Sequence, residues 1–219
     1  MPTITRRGWV LLLSFGLAAA GQSAAQVRTS PTVDSTPKIR QTSPSLPFDK
    51  AAAEAALAKG HATITGSACA YHDNRLFLAD NRTVMLFPAT PYFEQWAALR
   101  RKSDRSKESV LMSDPAFNTR VETKTDASGA FQFTEMLPGR YILVVPFQFN
   151  QAKSRDVYAG SSYSGAYEVE HYDRQDYSVA RDDELFKDVE VKSDGSIVKT
   201  AVTSGGGLVA KMLPCKGGK

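Results

Sequence analysis

Tyr158, Tyr163, Tyr167, Tyr172 and Tyr177 fall within one short stretch, interleaved with Gly, Ser and Asp, and they carry most of the chemistry this sequence offers. A tyrosine presents a flat apolar ring and a polar tip, which suits a sugar ring or a protein partner. Tyr158, Tyr163, Tyr167 and Tyr172 are therefore the candidate binding residues. The competing reading is that several of these rings simply cover an open end of the fold.

His171 and Asp173 lie in the same stretch and supply the enzymatic alternative, a catalytic or metal site in their neighbourhood. Local motifs do not favour it. The histidines are His61, His72 and His171, and none begins an H-x-x-E or H-E-x-x-H run. No G-x-S-x-G, Walker loop or dinucleotide fingerprint occurs. Asp173, Asp176, Asp182, Asp183 and Glu184 are close in sequence, but their spacing fits no calcium loop and reads as a solvated acidic turn. The expectation is a non-catalytic protein without cofactor or metal.

Cys69 and Cys215 are the only cysteines. In a chain that reads as exported, a disulfide between them is the natural pairing. The alternative is a buried Cys69 thiol and a free thiol in the tail.

These residues need a scaffold, and residues 123–145 are its centre. Asp126-Ala127-Ser128-Gly129 has the composition of a tight turn, with an Asp side chain that can accept from nearby backbone N–H groups. Phe131 and Phe133 alternate with Gln132 and Thr134, the period of a half-buried strand. Leu137-Pro138-Gly139 is a second turn. Tyr141, Ile142, Leu143, Val144 and Val145 are apolar without a break, which predicts a central strand covered on both faces.

The series Thr123, Thr125, Asp126, Gly129, Phe131, Phe133, Leu137, Pro138, Gly139, Tyr141, Leu143 and Val145 resembles the carboxypeptidase regulatory-like domains. The resemblance implies a transthyretin (prealbumin) type of antiparallel β-sandwich of about seven strands. It also implies an accessory domain rather than a peptidase. Two enzyme families share that sandwich. Intradiol dioxygenases bind iron through two Tyr and two His, which directs attention to Tyr163, Tyr167, His171 and Tyr172, although the spacing does not match. Hydroxyisourate hydrolases end in a Y-R-G-S signature that this chain lacks.

The remaining sequence frames that domain. Residues 1–25 read as a secretory signal peptide, with Arg6 and Arg7 before an apolar run and small residues at 23–25; twin-arginine export is the alternative route. Residues 26–48 are rich in Ser, Thr and Pro and read as a disordered linker, with an extended surface arm as the alternative for Leu46-Pro47-Phe48. Residues 49–60 predict a short helix capped by Asp49, ended by Gly60 and docked through Ala55, Leu57 and their neighbours. The sandwich is expected over 61–203. It carries a helical insertion at 90–118 whose Phe93, Trp96 and Ala97 face the sheet, and a long loop at 146–183. The last strands, at 185–191 and 197–202, read as a hairpin across Ser193-Asp194-Gly195, followed by a tail from 204 to 219.

The formal net charge is +4, half of it from Arg6 and Arg7, and no dense basic run occurs, so no nucleic-acid partner is expected. The sequence therefore points to a periplasmic or secreted binding protein, not membrane-spanning once its signal is removed. Its partner would be an envelope protein or a glycan.

Overall fold

Tyr141, Ile142, Leu143, Val144 and Val145 are all buried, and their two faces enter two different cores. The computed structural model describes residues 39–73, 75–205, Gly207 and Cys215. The expected signal peptide, the linker up to residue 38 and the tail stretch 208–213 lie outside the described residues. The strands are β1 (Arg40–Thr42), β2 (Ala62–His72), β3 (Arg75–Leu78), β4 (Thr83–Pro88), β5 (Glu108–Val110), β6 (Val121–Lys124), β7 (Ala130–Met136), β8 (Gly139–Ser164), β9 (Tyr167–Val191) and β10 (Ile197–Ser204). The helices are α1 (Lys50–Ala56), α2 (Pro91–Lys102) and α3 (Asp114–Asn118).

Two four-stranded sheets make the sandwich. One has the order β6-β4-β8-β9 and is antiparallel throughout. The other is built on β2, with β10 along one edge and β7 followed by β3 along the other. Ile64, Phe131, Phe133, Leu143, Val145 and Leu185 fill the space between the sheets. Ile142 and Val144 face the opposite way, onto a second core built with Phe87 and the α2 residues Phe93, Trp96 and Ala97. The mostly β sandwich expected from the sequence is what forms, and β8 lies between β4 and β9 because its apolar residues on both faces require cover.

The turn before β7 is held as its composition requires. Asp126 Oδ1 accepts from the Ser128 and Ala130 N–H groups at 2.8 and 2.9 Å and from the Ser128 hydroxyl at 2.7 Å. Gly129 has a φ of 77°, and a Cβ there would meet the Ala68 carbonyl oxygen at 2.6 Å. Cys69 and Cys215 form the disulfide, with Cα atoms 5.5 Å apart and a sequence separation of 146. The tail is thereby tied to β2, and the free-thiol reading falls.

Several expectations are corrected. The last two strands are not a hairpin: β9 ends in one sheet and β10 enters the other, parallel to β2. The turn residues instead make a crossing, which His61 pins by donating its N–H to Asp194 Oδ1 at 2.7 Å while its ring Nδ1 lies 2.7 Å from Asp194 Oδ2. Val198 and Val202 gain the core contacts of β2 by this route. Residues 39–48 are ordered against the domain rather than a disordered linker, and at Leu46-Pro47-Phe48 the surface-arm alternative is the one that holds. Here β1 pairs with β5, Gln95 bonds both the Leu46 N–H and the Ser45 hydroxyl, and Phe48 packs edge-on against Tyr92 and Phe93. In α1 the buried contact is Ala53 rather than the exposed Ala55, with Leu57 half-buried. Gly60 does not end that helix; its Cβ would lie 2.4 Å from the Met136 carbonyl oxygen, so glycine allows the chain to pass β7. Above all, residues 146–183 are not a loop: they are the continuation of β8 and β9 into one long hairpin.

Three outcomes check this account. In urea, Phe133→Ala is expected to cost about 3–5 kcal/mol through lost burial and the cavity left behind. Cys215→Ser is expected to cost about 2–4 kcal/mol; unchanged midpoints would contradict both assignments. The Asp126 carboxyl is held below its ordinary pKa by the Ser128 hydroxyl and then by the Ala130 and Ser128 N–H groups. Its contribution to stability is therefore complete above the unfolded pKa, near 4, and is lost as pH falls through the lower folded value. Unfolding measured from pH 5 downward should show a shallower acid loss in Asp126→Asn than in the parent (about this range, from the carboxyl's ordinary titration).

Candidate functional site

The distal part of the β8–β9 hairpin forms an arm. Every residue from 154 to 176 is exposed except Gly160, which is half-buried. At the usual strand rise of about 3.4 Å its ten paired residues per side span about 34 Å. The strands persist without a core because the ladder satisfies their backbone groups and because Tyr and Val are good strand formers. Gly165 and Ala166 make the two-residue turn at the tip, and Gly165 takes the positive φ of 67° that such a turn needs.

The root of the arm is anchored. Phe149 packs on Phe77 with ring centroids 4.3 Å apart and on Phe147 at 5.2 Å. Gln151 is buried; its amide donates to Asp73 Oδ2, and its carbonyl oxygen accepts from Arg181 Nε at 3.1 Å. Along the ribbon, Arg155 donates to Gln175 through both Nε and a terminal nitrogen, at 2.8 and 2.6 Å.

Register sorts the candidate residues onto two faces. Tyr158 is opposite Tyr172, and their rings meet edge-on at 5.8 Å. A bulge between Tyr158 and Gly160 inserts one extra residue into β8, so Tyr163, opposite Glu168, joins the face of Tyr158 and Tyr172. Without that bulge the two-residue alternation would turn Tyr163 to the other side. Tyr167 is on the second face, with Val169, His171 and Tyr177. Three of the four predicted tyrosines are thus brought together and the fourth is not. Their exposures are 54% for Tyr158, 74% for Tyr163, 79% for Tyr167 and 55% for Tyr172, so none of them caps the sandwich.

The first face is also acidic. Glu170 Oε2 accepts from the Tyr172 hydroxyl at 2.6 Å, and Glu168 Oε1 accepts from the Ser161 hydroxyl at 2.6 Å. The bond to Glu170, with some desolvation, pushes the Tyr172 phenol above its ordinary pKa. On the second face, His171 Nε2 lies 2.7 Å from the Ser162 hydroxyl, and Asp173 is opposite Val157. Tyr163 and Tyr172 are on one side of the ribbon and Tyr167 and His171 on the other, so these four cannot converge on one iron. The acidic residues are likewise dispersed: Arg174 Nε donates to Asp176 at 3.1 Å, Arg100 Nε to Glu184 at 2.6 Å, and the Ser204 hydroxyl to Asp183 at 2.5 Å. Among the described residues no group of three or more His, Cys, Asp or Glu is placed to hold a metal ion.

One feature of the root escapes sequence reading. A surface cavity of about 720 Å³ is lined by Phe77, Phe147, Phe149, Arg82, Asn150 and Asp182, among others. The alternation of Phe147 and Phe149 immediately after the core strand is its signal in the sequence. Arg82 crosses beside it to donate to the Gln148 carbonyl oxygen at 2.8 Å.

Spectrophotometric titration of the phenols checks the electrostatics. Replacing Glu170 with Ala removes the acceptor, so the Tyr172 phenol should ionise at lower pH than in the parent, with Tyr172→Phe identifying its contribution. An unchanged curve would contradict the assigned bond.

No protein-family model and no curated protein matches the chain. Among solved structures it is similar to a Pseudomonas aeruginosa protein described as a putative carbohydrate binding protein, at 19% identity and a TM-score of 0.51, covering 72% of this chain and 99% of that one. That likeness is one of fold. Among the described residues, no helix is long and apolar enough to cross a membrane.

Proposed function

We propose that this chain is a non-catalytic binding protein whose β8–β9 arm is its contact element. The observation that carries this reading is the tyrosine face of the arm: Tyr158, Tyr163 and Tyr172 lie together on a ribbon that extends past the sandwich, all more than half exposed. A flat two-stranded surface with aromatic rings and carboxylates suits a protein partner better than a small ligand, which is ordinarily enclosed in a concavity. The resemblance of residues 123–145 to carboxypeptidase regulatory-like domains supports an accessory role. The leader-like start of the sequence and the disulfide support a periplasmic or secreted setting, with an envelope protein as the partner.

A glycan is the second reading. It is favoured by the described ligand class of the Pseudomonas aeruginosa protein and by the cavity at the arm root, where half-buried rings adjoin Asn150, Asp182 and Arg82. The enzymatic reading through His171 and Asp173 has less support, since both side chains lie on an open ribbon.

Affinity capture from an envelope extract, run beside a polysaccharide-binding screen, tests the proposal. The variant Tyr158→Ala/Tyr163→Ala/Tyr172→Ala should keep the parent's unfolding midpoint and lose the captured protein, whereas Tyr167→Ala should retain it. Retention of a polysaccharide, undiminished in the triple variant, would favour the glycan reading. Identical capture by parent and triple variant would overturn the arm's role.

A further inference from the structure

The outer edge of β9 has no partner among the described residues, since β9 pairs with β8 alone. An unpaired edge is a template for another strand unless it is blocked. On the arm, the outer edge of β8 is blocked by the bulge at Tyr158 and Gly160, but β9 runs in unbroken register from Tyr167 to Val191. The orientation of its backbone groups follows from the tip. In a two-residue hairpin the flanking residues Ser164 and Tyr167 bond each other, so the odd-numbered residues of β9 direct their N–H and C=O groups at β8. The even-numbered ones, Glu168, Glu170, Tyr172 and Arg174, direct theirs outward. The same alternation places the carbonyls of Arg140 and Gln148 on the far side of β8, where they accept from Ala89 and Arg82.

We infer that the arm pairs with a second copy of this chain, β9 against β9, antiparallel about a two-fold axis through Tyr172. A two-fold axis normal to the sheet keeps each side chain on its own face, so only registers centred on one residue are allowed, and in each of them the outward groups of the even-numbered residues face one another. Centring on Glu170, Asp173 or Arg174 sets that charge against its own copy, centring on Val169 sets Glu168 against Glu170, and centring on His171 or Gln175 gives Arg174 one opposite charge, Glu168 or Asp176, and no second oppositely charged pair. Centring on Tyr172 sets Glu170 opposite Arg174 twice, His171 opposite Asp173 twice and Tyr167 opposite Tyr177 twice. Opposite charges and aromatic pairs directly across a ladder are the favourable combinations. Glu168 then meets Asp176 at the ends, where Arg174 lies 3.1 Å from Asp176. The result is a four-stranded ribbon that joins the tyrosine faces of two chains into one surface, and it satisfies an edge otherwise exposed to indiscriminate pairing.

This inference rests on the arm being a contact element, and its test is separate from partner capture. The disulfide-bonded protein is examined by sedimentation velocity from on the order of 1 to 100 μM, a range that brackets ordinary weak association. The parent is expected to dimerise. Glu170→Arg and Arg174→Glu, each placing like charges across both symmetric pairs, should weaken dimerisation about tenfold or more, with unchanged far-UV spectra. The double variant Glu170→Arg/Arg174→Glu should recover it, because the signs again oppose. A monomer at every concentration would overturn self-pairing, while the capture experiment with the tyrosine variants would still decide the arm's role. A dimer indifferent to either reversal, or a double variant no better than the singles, would also overturn it by placing the association on another surface.

Discussion

Burial of Tyr141, Ile142, Leu143, Val144 and Val145 on two faces at once is the constraint from which the rest of the molecule follows. One face requires a second sheet, and β2 with its neighbours supplies it. The other requires a separate cover, and the aromatic side of α2 supplies that. A strand fixed so firmly at its start has its direction set, and β9 is bound to it residue for residue. The arm is the part of this ladder that outruns both covers. Its root is held by the Phe77, Phe147 and Phe149 rings and by the buried amide of Gln151; its tip is held only by the ladder and by pairs across it.

This gradient from buried to exposed along one pair of strands separates structure from function. Near the root, a substitution is felt as packing. Beyond Gln151 the side chains are free of core duties, so their identities answer to whatever the arm touches. The bulge opposite Tyr172 belongs to this second regime. It costs a regular ladder and gathers Tyr158, Tyr163 and Tyr172 on one side, which is the kind of re-aiming that bulges accomplish. The same irregularity obstructs one edge of the ribbon and leaves the other available.

The sequence was informative wherever one face of an element is wet and the other dry. Phe131 and Phe133 alternate and form β7; Phe93, Trp96 and Ala97 recur at helical spacing and face the sheet; Asp126 and Gly129 make the turn their chemistry suggests. Pairing of Cys69 with Cys215 was expected from there being two cysteines in a chain whose sequence reads as exported. The arm was not legible, because both of its faces are wet and the alternation that identifies a half-buried strand has no reason to appear. Its strands were discoverable only from the density of Tyr and Val on either side of Ser164, Gly165 and Ala166. The crossing at Asp194 misled for a different reason: Ser-Asp-Gly marks a turn but not which sheet the next strand joins, and that choice is made by His61 and by the room beside β2. The packing of Phe48 on α2 depends on tertiary contacts that a Ser- and Pro-rich composition conceals.

The central claim is that the arm is a preformed ribbon before it meets any partner. Residue-resolved amide hydrogen exchange on a dilute, disulfide-bonded sample tests it most directly. The β9 amides directed at β8, those of Tyr167, Val169, His171 and Asp173, are expected to exchange more slowly than the outward amides of Glu168, Glu170, Tyr172 and Arg174. Uniformly fast exchange across residues 152–178, with protection confined to the sandwich, would contradict it.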